Sequence, residues 1–217
     1  MEQSMKKPIQ TGTTTIGIKC KDGIVILADK RSSAGHLVAS KEMNKVQIIT
    51  PNIVITQAGL VSDAQLLTKL IKAELKIMQI RRGEQVKVRE AANLLGTFLY
   101  HNIRKMSMVP GIVGFLLGGG DNEGFKLYDL GVDGSVTEHT DFAVTGSGSE
   151  LALGVLESLH DKNLSIENGI KLGLKAINSA VRRDLASGDG IDVFTINDQG
   201  AKKVMTKVLE TNVFAQS

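Results

Sequence analysis

The sequence predicts an α+β fold in which β-sheets pack face to face and helices cover their outer sides. Strand-like segments occur in pairs separated by turn signals, and two pairs of longer segments carry apolar residues at helical spacing. Along the chain the order is strands, two helices, strands, two helices and final strands. Because the apolar side of each sheet and helix must be covered, this order favours stacked sheets with helices outside. There is no sign of a second domain, an internal repeat or a low-complexity linker.

Apolar segments separated by turn residues define the strands. Asp22-Gly23 and Asp133-Gly134 are turn signals, and Pro51-Asn52 joins the second pair of strands. Gly118–Gly120 is predicted to be a turn, because no Gly-Lys-Ser/Thr follows it and no helix begins there, as a phosphate loop would require. The predicted strands are residues 13–20, 24–29, 45–50, 53–57, 112–117, 124–130, 135–140, 191–196 and 202–209.

Four segments have the features of helices. In the first, apolar residues recur every three or four positions, Ser62 and Gln65 form a possible capping box, and Gly83 supplies a stop signal. Before the third, Ser147 and Glu150 could form a second capping box. The predicted helices are residues 62–82, residues 88–106, a third ending near residue 160, and residues 165–185.

Composition excludes several classes of function. The chain has 217 residues, enough for one sizeable domain, and its 42% hydrophobic and 23% charged residues are ordinary for a soluble protein. A net charge of +3 and only 4% aromatic residues argue against nucleic-acid binding. No stretch of about 18 uninterrupted apolar residues occurs, so no membrane helix is predicted.

Cys20 is the only cysteine, which excludes an internal disulfide and suits a reducing compartment. It alternates with Ile16 and Ile18, so a buried strand position is favoured over a reactive thiol. No metal-ligand spacing occurs among Cys20 and the four histidines, and neither a metal nor a cofactor is predicted. Residues 1–12 lack the apolar core of a secretory signal. A cytoplasmic protein with a short removable leader is the simplest interpretation.

The segment Thr11–Ile18 carries the chemistry on which the functional hypothesis depends. Three β-branched residues, Thr13, Thr14 and Thr15, favour an extended backbone, and Gly12 lets the chain come close to its surroundings. If the Gly12–Thr13 bond is cut, Thr13 carries both a hydroxyl and a free α-amine. With a pKa of about 7.7–8.0, that amine can act as general base for its own hydroxyl. Taken alone, the segment also fits an ordinary strand after a flexible tail.

Five further motifs follow Gly12-Thr13 in order, and together they resemble the proteasome β-subunit family, most closely its archaeal type. The resemblance covers nearly the whole chain from Thr13 onward. The motifs are Ala28-Asp29-Lys30-Arg31, Lys45, Ala58-Gly59-Leu60-Val61-Ser62-Asp63-Ala64-Gln65, Gly146-Ser147-Gly148-Ser149 and Arg183-Asp184-Leu185-Ala186-Ser187-Gly188.

The resemblance implies the fold of N-terminal nucleophile hydrolases, a four-layer α/β/β/α sandwich. It implies one domain over residues 13–217 and a leader, residues 1–12, that is removed by autoprocessing. Thr13 would be the nucleophile, and its hydroxyl would attack the Gly12 carbonyl before it attacks substrates. Processing and hydrolysis would therefore share one centre.

By the same resemblance, Lys45 would be the active-site lysine and Asp29 the carboxylate that orients it. A nearby ammonium favours the deprotonated hydroxyl of the nucleophile through electrostatics. Gly59 would supply a backbone N–H to the tetrahedral oxyanion. Taken alone, Lys45 could be an ordinary surface lysine and Asp29 an ordinary aspartate at the end of a strand.

The resemblance also implies that Asp184 and Ser187 position the amine of Thr13. Ser147 would form a hydrogen bond near the nucleophile, although helix capping with Glu150 is an alternative for this serine. For Asp184 and Ser187 the alternative is the end of a helix followed by a turn.

By the same resemblance, substrates would add as a strand beside Ser33, Gly59 and Val61, a mode that uses main-chain hydrogen bonds for affinity and side-chain pockets for selection. The family often has an apolar residue at the position of Gln57 and glycine at that of Ser62. We therefore expect a first specificity pocket that accepts both apolar and polar side chains. The walls implied by the resemblance are Ser32, Met43, Gln47, Gln57 and Val61.

The leading hypothesis is a threonine endopeptidase, the catalytic β subunit of a proteasome core particle, acting on unfolded polypeptides. The resemblance implies seven-membered β rings stacked with α-subunit rings and served by an unfolding ATPase. A non-catalytic β subunit of the same ring is the first alternative, and an amidase acting on a small molecule through an N-terminal threonine is the second. No nucleic-acid or membrane partner is expected.

Overall fold

The computed structural model describes residues 12–209, so the predicted leader lies outside the described residues except for Gly12. The strands are β1 (Thr14–Cys20), β2 (Gly23–Asp29), β3 (Ser32–Ala34), β4 (Leu37–Ser40), β5 (Val46–Thr50), β6 (Ile53–Thr56), β7 (Ala58–Gly59), β8 (Val113–Asp121), β9 (Gly124–Leu130), β10 (Val136–His139), β11 (Phe142–Gly146), β12 (Gly190–Asn197) and β13 (Gly200–Val208). The helices are α1 (Val61–Arg82), α2 (Val88–Arg104), α3 (Ser149–Leu159) and α4 (Ile166–Val181). None of these four helices is long and apolar enough to cross a membrane.

The strands form two large sheets in which every pairing is antiparallel. The first sheet has five strands in the order β11-β1-β2-β12-β13, and the second has six in the order β10-β9-β8-β6-β5. Strand β7 pairs with β8 outside this order, and β3 and β4 form a separate two-stranded sheet. Strands β1, β2 and β12 are neighbours in the middle of the first sheet and run antiparallel. The start of β1, the end of β2 and the start of β12 therefore lie together at one edge of the sandwich.

Three apolar clusters hold four layers together. One lies between α1, α2 and the second sheet and includes Ile71, Leu95 and Phe115. Another lies between α3, α4 and the first sheet. The third, which includes Ile26 and Leu116, lies between the two sheets. The predicted α+β fold with a four-layer α/β/β/α sandwich is therefore confirmed.

Burial explains why the central strands are apolar along their whole length. Every residue of β2 is buried, because α4 covers one face of the sheet and the second sheet covers the other. Cys20 is buried at the end of β1, as predicted, and burial, reinforced by the nearby Asp22 carboxylate, raises the pKa of its thiol to about 12. Its thiol therefore stays protonated and unreactive at neutral pH.

The predicted turn at Gly118–Gly120 is wrong, because these residues belong to β8 in the middle of the second sheet. A Cβ atom on Gly118 would lie 3.2 Å from side-chain carbons of Ile24, Ile26 and Ile196. A Cβ atom on Gly119 would lie 2.8 Å from Val88 at the start of α2. The glycines therefore serve close packing on both faces of the strand.

Other differences concern short elements and helix ends. The short strands β3, β4, β7 and β11 were not predicted, and α4 ends at Val181 rather than at residue 185. Ser62 does not cap α1: its N-cap is Leu60, without a side-chain hydrogen bond, and the Ser62 hydroxyl donates to Asp63 instead. Gly83 ends α1 with φ 73°, as predicted.

Candidate active site

Strand register brings the predicted site residues to Thr13. Thr14 and Thr15 pair with Gly146 of β11 and Ala28 of β2, so the last residues of both strands lie beside the start of β1. Asp29 pairs with Ile191 of β12, which places the loop that precedes β12 at the same edge. The second sheet contributes the residue before β5, Lys45, whose carbonyl accepts a hydrogen bond from Gln57 N–H.

Thr13 lies directly before β1 and is 5% exposed. Its hydroxyl donates a hydrogen bond to the Gly12 carbonyl oxygen over 2.6 Å. The Lys45 ammonium donates to the same oxygen over 3.3 Å. The carbonyl that precedes Thr13 is therefore bound by a hydroxyl and a cationic group at once, which polarises its carbon toward nucleophilic attack.

Lys45 and Asp29 form a buried ion pair. The Lys45 Nζ lies 2.7 Å from Asp29 Oδ1, and the two residues are 4% and 1% exposed. Burial lowers the pKa of Lys45 from its ordinary value, even though Asp29 opposes this shift. The nitrogen therefore gives up a proton more readily than that of an exposed lysine.

The Asp29 carboxylate is held by three backbone N–H groups in addition to Lys45. Thr14 donates to Oδ1 over 2.8 Å, and Arg31 and Gly188 each donate to Oδ2 over 3.0 Å. These bonds fix the carboxylate in one orientation. They also connect three segments around Thr13: the start of β1, the residues after β2 and the loop before β12.

A second carboxylate, Asp184, organises the other side of Thr13. The hydroxyls of Ser147 and Ser187 each donate to Asp184 Oδ2 over 2.6 Å, and Ala186 N–H donates to Oδ1 over 3.1 Å. The Ser147 hydroxyl also accepts the Thr13 N–H over 3.3 Å. The capping alternative for Ser147 is wrong, since α3 begins after Gly148 and has no side-chain cap.

The sequence analysis did not identify Thr14 and Arg31, whose side chains also hold the site together. The Thr14 hydroxyl lies 2.7 Å from that of Ser187, and because Ser187 donates to Asp184, Thr14 must be the donor. Arg31 binds Asp189 through two nitrogens at 2.7 and 3.2 Å and donates to the Leu185 carbonyl over 2.9 Å. Arg31 thereby ties the loop around Asp184 to the end of β2. The only sequence signals for these residues were the Thr13–Thr15 run and the Ala28-Asp29-Lys30-Arg31 motif.

Gly59 occupies β7 with φ +124°, a conformation that favours glycine. A Cβ atom there would collide with the backbone of Ile112 and Val113. Gly59 forms part of the pocket wall beside Thr13, and its role as an N–H donor to the oxyanion stays a prediction.

A small pocket adjoins Thr13, and four of the predicted wall residues line it. Ser33 lies next to it in β3, where its hydroxyl accepts Gly12 N–H over 3.2 Å. Gln47 is not in the wall: its Oε1 accepts a hydrogen bond from Lys72 of α1 over 3.1 Å. The pocket is lined by Gly12, Thr13, Ser32, Met43, Lys45, Gln57, Gly59 and Val61.

Comparisons with known proteins identify the family of this chain. The family model described as "Proteasome subunit" matches residues 9–196. A "Proteasome subunit beta" of Archaeoglobus profundus is 39% identical over 207 residues, which cover 94% of each chain. Proteins of the same description from Ferroglobus placidus and Haloferax volcanii are 41% and 42% identical over 87% and 89% of this chain, and the matches cover 88% and 77% of theirs. The chain therefore belongs to the proteasome β-subunit family.

Proposed function

We propose that this chain is the catalytic β subunit of a proteasome core particle and that Thr13 is its nucleophile. Residues 1–12 would be an autocatalytically removed leader, and residues 13–217 the working domain. The observation that carries the proposal is the Gly12 carbonyl oxygen, bound by the Thr13 hydroxyl at 2.6 Å and by Lys45 at 3.3 Å. An ordinary strand after a flexible tail needs neither contact.

Leader removal would begin with attack of Thr13 Oγ1 on the Gly12 carbonyl carbon. Negative charge develops on the carbonyl oxygen, where the Lys45 ammonium stabilises it. The hydroxyl proton ends on the Thr13 nitrogen, the C–N bond breaks, and Gly12 becomes esterified to Oγ1. Water then hydrolyses the ester, which releases residues 1–12 as a carboxylate and leaves Thr13 with a free amine.

Substrate hydrolysis would repeat these steps with the free α-amine of Thr13 as the base. The new α-amine accepts the proton of its own hydroxyl, which attacks a peptide carbonyl, and the proton passes to the departing amine. Water then resolves the acyl-enzyme ester. Ser147, Asp184 and Ser187 would hold the amine, because Ser147 already binds the Thr13 nitrogen in the uncut chain.

The wider setting belongs to the same proposal. We infer that the substrates are unfolded polypeptides, that seven-membered β rings stack with α-subunit rings in the cytoplasm, and that an unfolding ATPase feeds them. A non-catalytic β subunit remains the alternative. The connected set of Thr13, Lys45 and Asp29 favours the catalytic assignment, because a purely structural subunit has no need of a buried ion pair beside a hydroxyl.

Intact-mass measurement of the assembled particle tests the proposal. We expect a chain that begins at Thr13 and gains the mass of a threonine-directed epoxyketone. In Thr13→Ala the leader should stay attached, no inhibitor should be bound, and particles should still assemble. Finished wild-type particles with a full-length, unlabelled chain would show that the subunit is structural.

A further inference from the structure

Three threonine hydroxyls form a chain that joins the two large sheets near the start of β1. Thr56 Oγ1 of β6 lies 3.1 Å from Thr15 Oγ1 of β1, which lies 2.7 Å from Thr145 Oγ1 of β11. Thr15 and Thr56 are fully buried, and Ala28 and Val46, which pair with them on adjacent strands, belong to the apolar cluster between the sheets. Valine would fill these positions without a buried polar group, so the hydroxyls require an explanation.

This hydroxyl chain ends at a break in the second sheet. Strand β6 pairs with β8 as far as Ile55, and β7 resumes the pairing at Ala58, so Thr56 and Gln57 lie outside that ladder. The N–H of Leu116 in β8 donates instead to Thr56 Oγ1 over 3.1 Å. Because an N–H can only donate, Thr56 accepts this bond and has its own proton free for the hydroxyl chain.

The same break carries groups on which the reaction would depend. The N–H of Gln57 donates to the Lys45 carbonyl over 2.9 Å, and Gly59 follows two residues later in β7. At the other end of the bond, Thr15 lies two residues after Thr13. The hydroxyl chain therefore connects the segment of the nucleophile to the segments that hold Lys45 and Gly59.

The distance between these segments matters because the contact of Lys45 with the Gly12 carbonyl oxygen is long. Its 3.3 Å separation lies just beyond the range of about 2.7–3.2 Å that is usual for N–H···O bonds. A small increase would weaken the hold of the ammonium on the oxygen where charge would develop. A misplacement of about 1 Å can lower the rate of an enzyme about a hundredfold.

We propose that Thr56 is a positioning residue for the reaction at Thr13. Its hydroxyl, bound to Thr15, sets the distance between the nucleophile and Lys45. This inference rests on the proposed peptidase function and adds a residue that acts through its neighbours. Thr56 holds the geometry of the site and transfers no proton.

Kinetics of the assembled particle test the role of this hydroxyl. Thr56→Val keeps the shape of the side chain but removes its bonds to Thr15 and Leu116. The substrate is a peptide with a C-terminal aminomethylcoumarin amide, and active sites are counted by epoxyketone labelling of Thr13. Per labelled site, kcat should fall roughly tenfold while KM stays nearly unchanged. Thr56→Ser, which retains the hydroxyl, should restore kcat to near the wild-type value.

Thr50→Val is the matched control. The Thr50 hydroxyl is also buried in the second sheet and donates to Asn52 over 2.8 Å, but it lies at the far end of β5 from Lys45. Both valine variants should lower the melting temperature, because each loses a buried hydrogen bond. Only Thr56→Val should lower kcat, which a merely structural hydroxyl would leave unchanged.

The double variant Thr15→Val/Thr56→Val shows whether the two hydroxyls act as one. It should lose about as much kcat as Thr56→Val alone, because both substitutions remove the same bond. Losses that multiply would show that the two residues act independently, which contradicts the proposal.

The outcomes separate this proposal from the proposed function. Wild-type particles that take no label at Thr13 and hydrolyse no peptide overturn both. If the wild type is labelled and active, an unchanged kcat in Thr56→Val, or an equal loss in Thr50→Val, overturns the positioning role alone. If Thr56→Val does not assemble, Thr15→Val and Thr15→Ser give the same comparison from the other end of the bond, and equal kcat values in these two variants defeat the assignment.

Discussion

Two carboxylates flank Thr13, and they are built differently. Asp29 is 1% exposed, binds the Lys45 ammonium, and lies on the side of the Gly12 carbonyl oxygen. Asp184 is half-buried in a loop, accepts two serine hydroxyls, and lies on the side of the Thr13 nitrogen. Under the proposed mechanism, the first arrangement would hold a positive charge where the oxyanion forms, and the second would orient the Thr13 nitrogen. We therefore expect the first to be indispensable for chemistry and the second to adjust its rate.

The largest effect should come from Lys45→Ala. Loss of the ammonium removes the cation beside the Gly12 carbonyl, so leader removal and peptide hydrolysis should both be abolished. The variant also leaves Asp29 buried without its cation, which should lower the free energy of unfolding by roughly 3–5 kcal/mol. Intact mass, peptidase assays and urea unfolding measure the three effects.

The double variant Lys45→Ala/Asp29→Asn separates structure from chemistry. Without the buried negative charge, part of the lost stability should return, although the amide of Asp29→Asn has only one oxygen to accept the bonds that both Asp29 oxygens take from backbone N–H groups. The leader should remain attached. Near-normal turnover in either variant would remove Lys45 from the mechanism. Failure of the double variant to regain stability would show that the pair is not the source of the stability loss.

A smaller effect is expected for Asp184→Asn. The chain should still lose its leader, but kcat should fall roughly tenfold to hundredfold, because the amine is held less accurately. The negative charge of Asp184 favours the protonated amine, so its removal should lower the pKa of the amine and move the acid limb of kcat/KM to lower pH. Ser187→Ala is the control, since it removes one hydrogen bond and no charge. An unchanged pH profile in Asp184→Asn would contradict a role at the nitrogen.

The sequence predicted the long elements of the fold better than the short ones. Long helices and paired strands were predicted well, because apolar periodicity and turn residues depend on local sequence. Strands as short as Ser32–Ala34 give no such signal. Gly118–Gly120 lies in a strand because side chains of the two neighbouring layers pack closely against it. Such packing is decided by residues distant in sequence.

Site residues that belong to a sequence motif could be predicted, whereas contacts between residues distant in sequence could not. Thr13, Lys45 and Asp29 were identified through the resemblance, and the structure brings them together. The bond between Thr14 and Ser187 joins residues 173 positions apart, and no spacing rule could indicate it. The pairing of Gln47 with Lys72 likewise depends on how α1 packs on β5.

The finest distinction between the two carboxylates is that only Asp29 has a buried cation, which should be visible as a pH dependence of stability. Burial lowers the pKa of Lys45 from its ordinary value of 10.5, so between the two values the unfolded chain binds a proton that the folded chain lacks. Stability from this group therefore rises with pH. In a Thr13→Ala background, which keeps the leader attached, the unfolding free energy relative to Lys45→Met should increase as the pH rises toward 10.5, by at most about 1.4 kcal/mol per pH unit. Lys87 is the matched control: the Glu123 carboxylate raises the pKa of this surface lysine above 10.5, so its contribution to stability is fully present below pH 10.5 and should stay level there. A flat difference for Lys45 would mean that Asp29 compensates fully for burial, and a lowered pKa of Lys45 would then be ruled out.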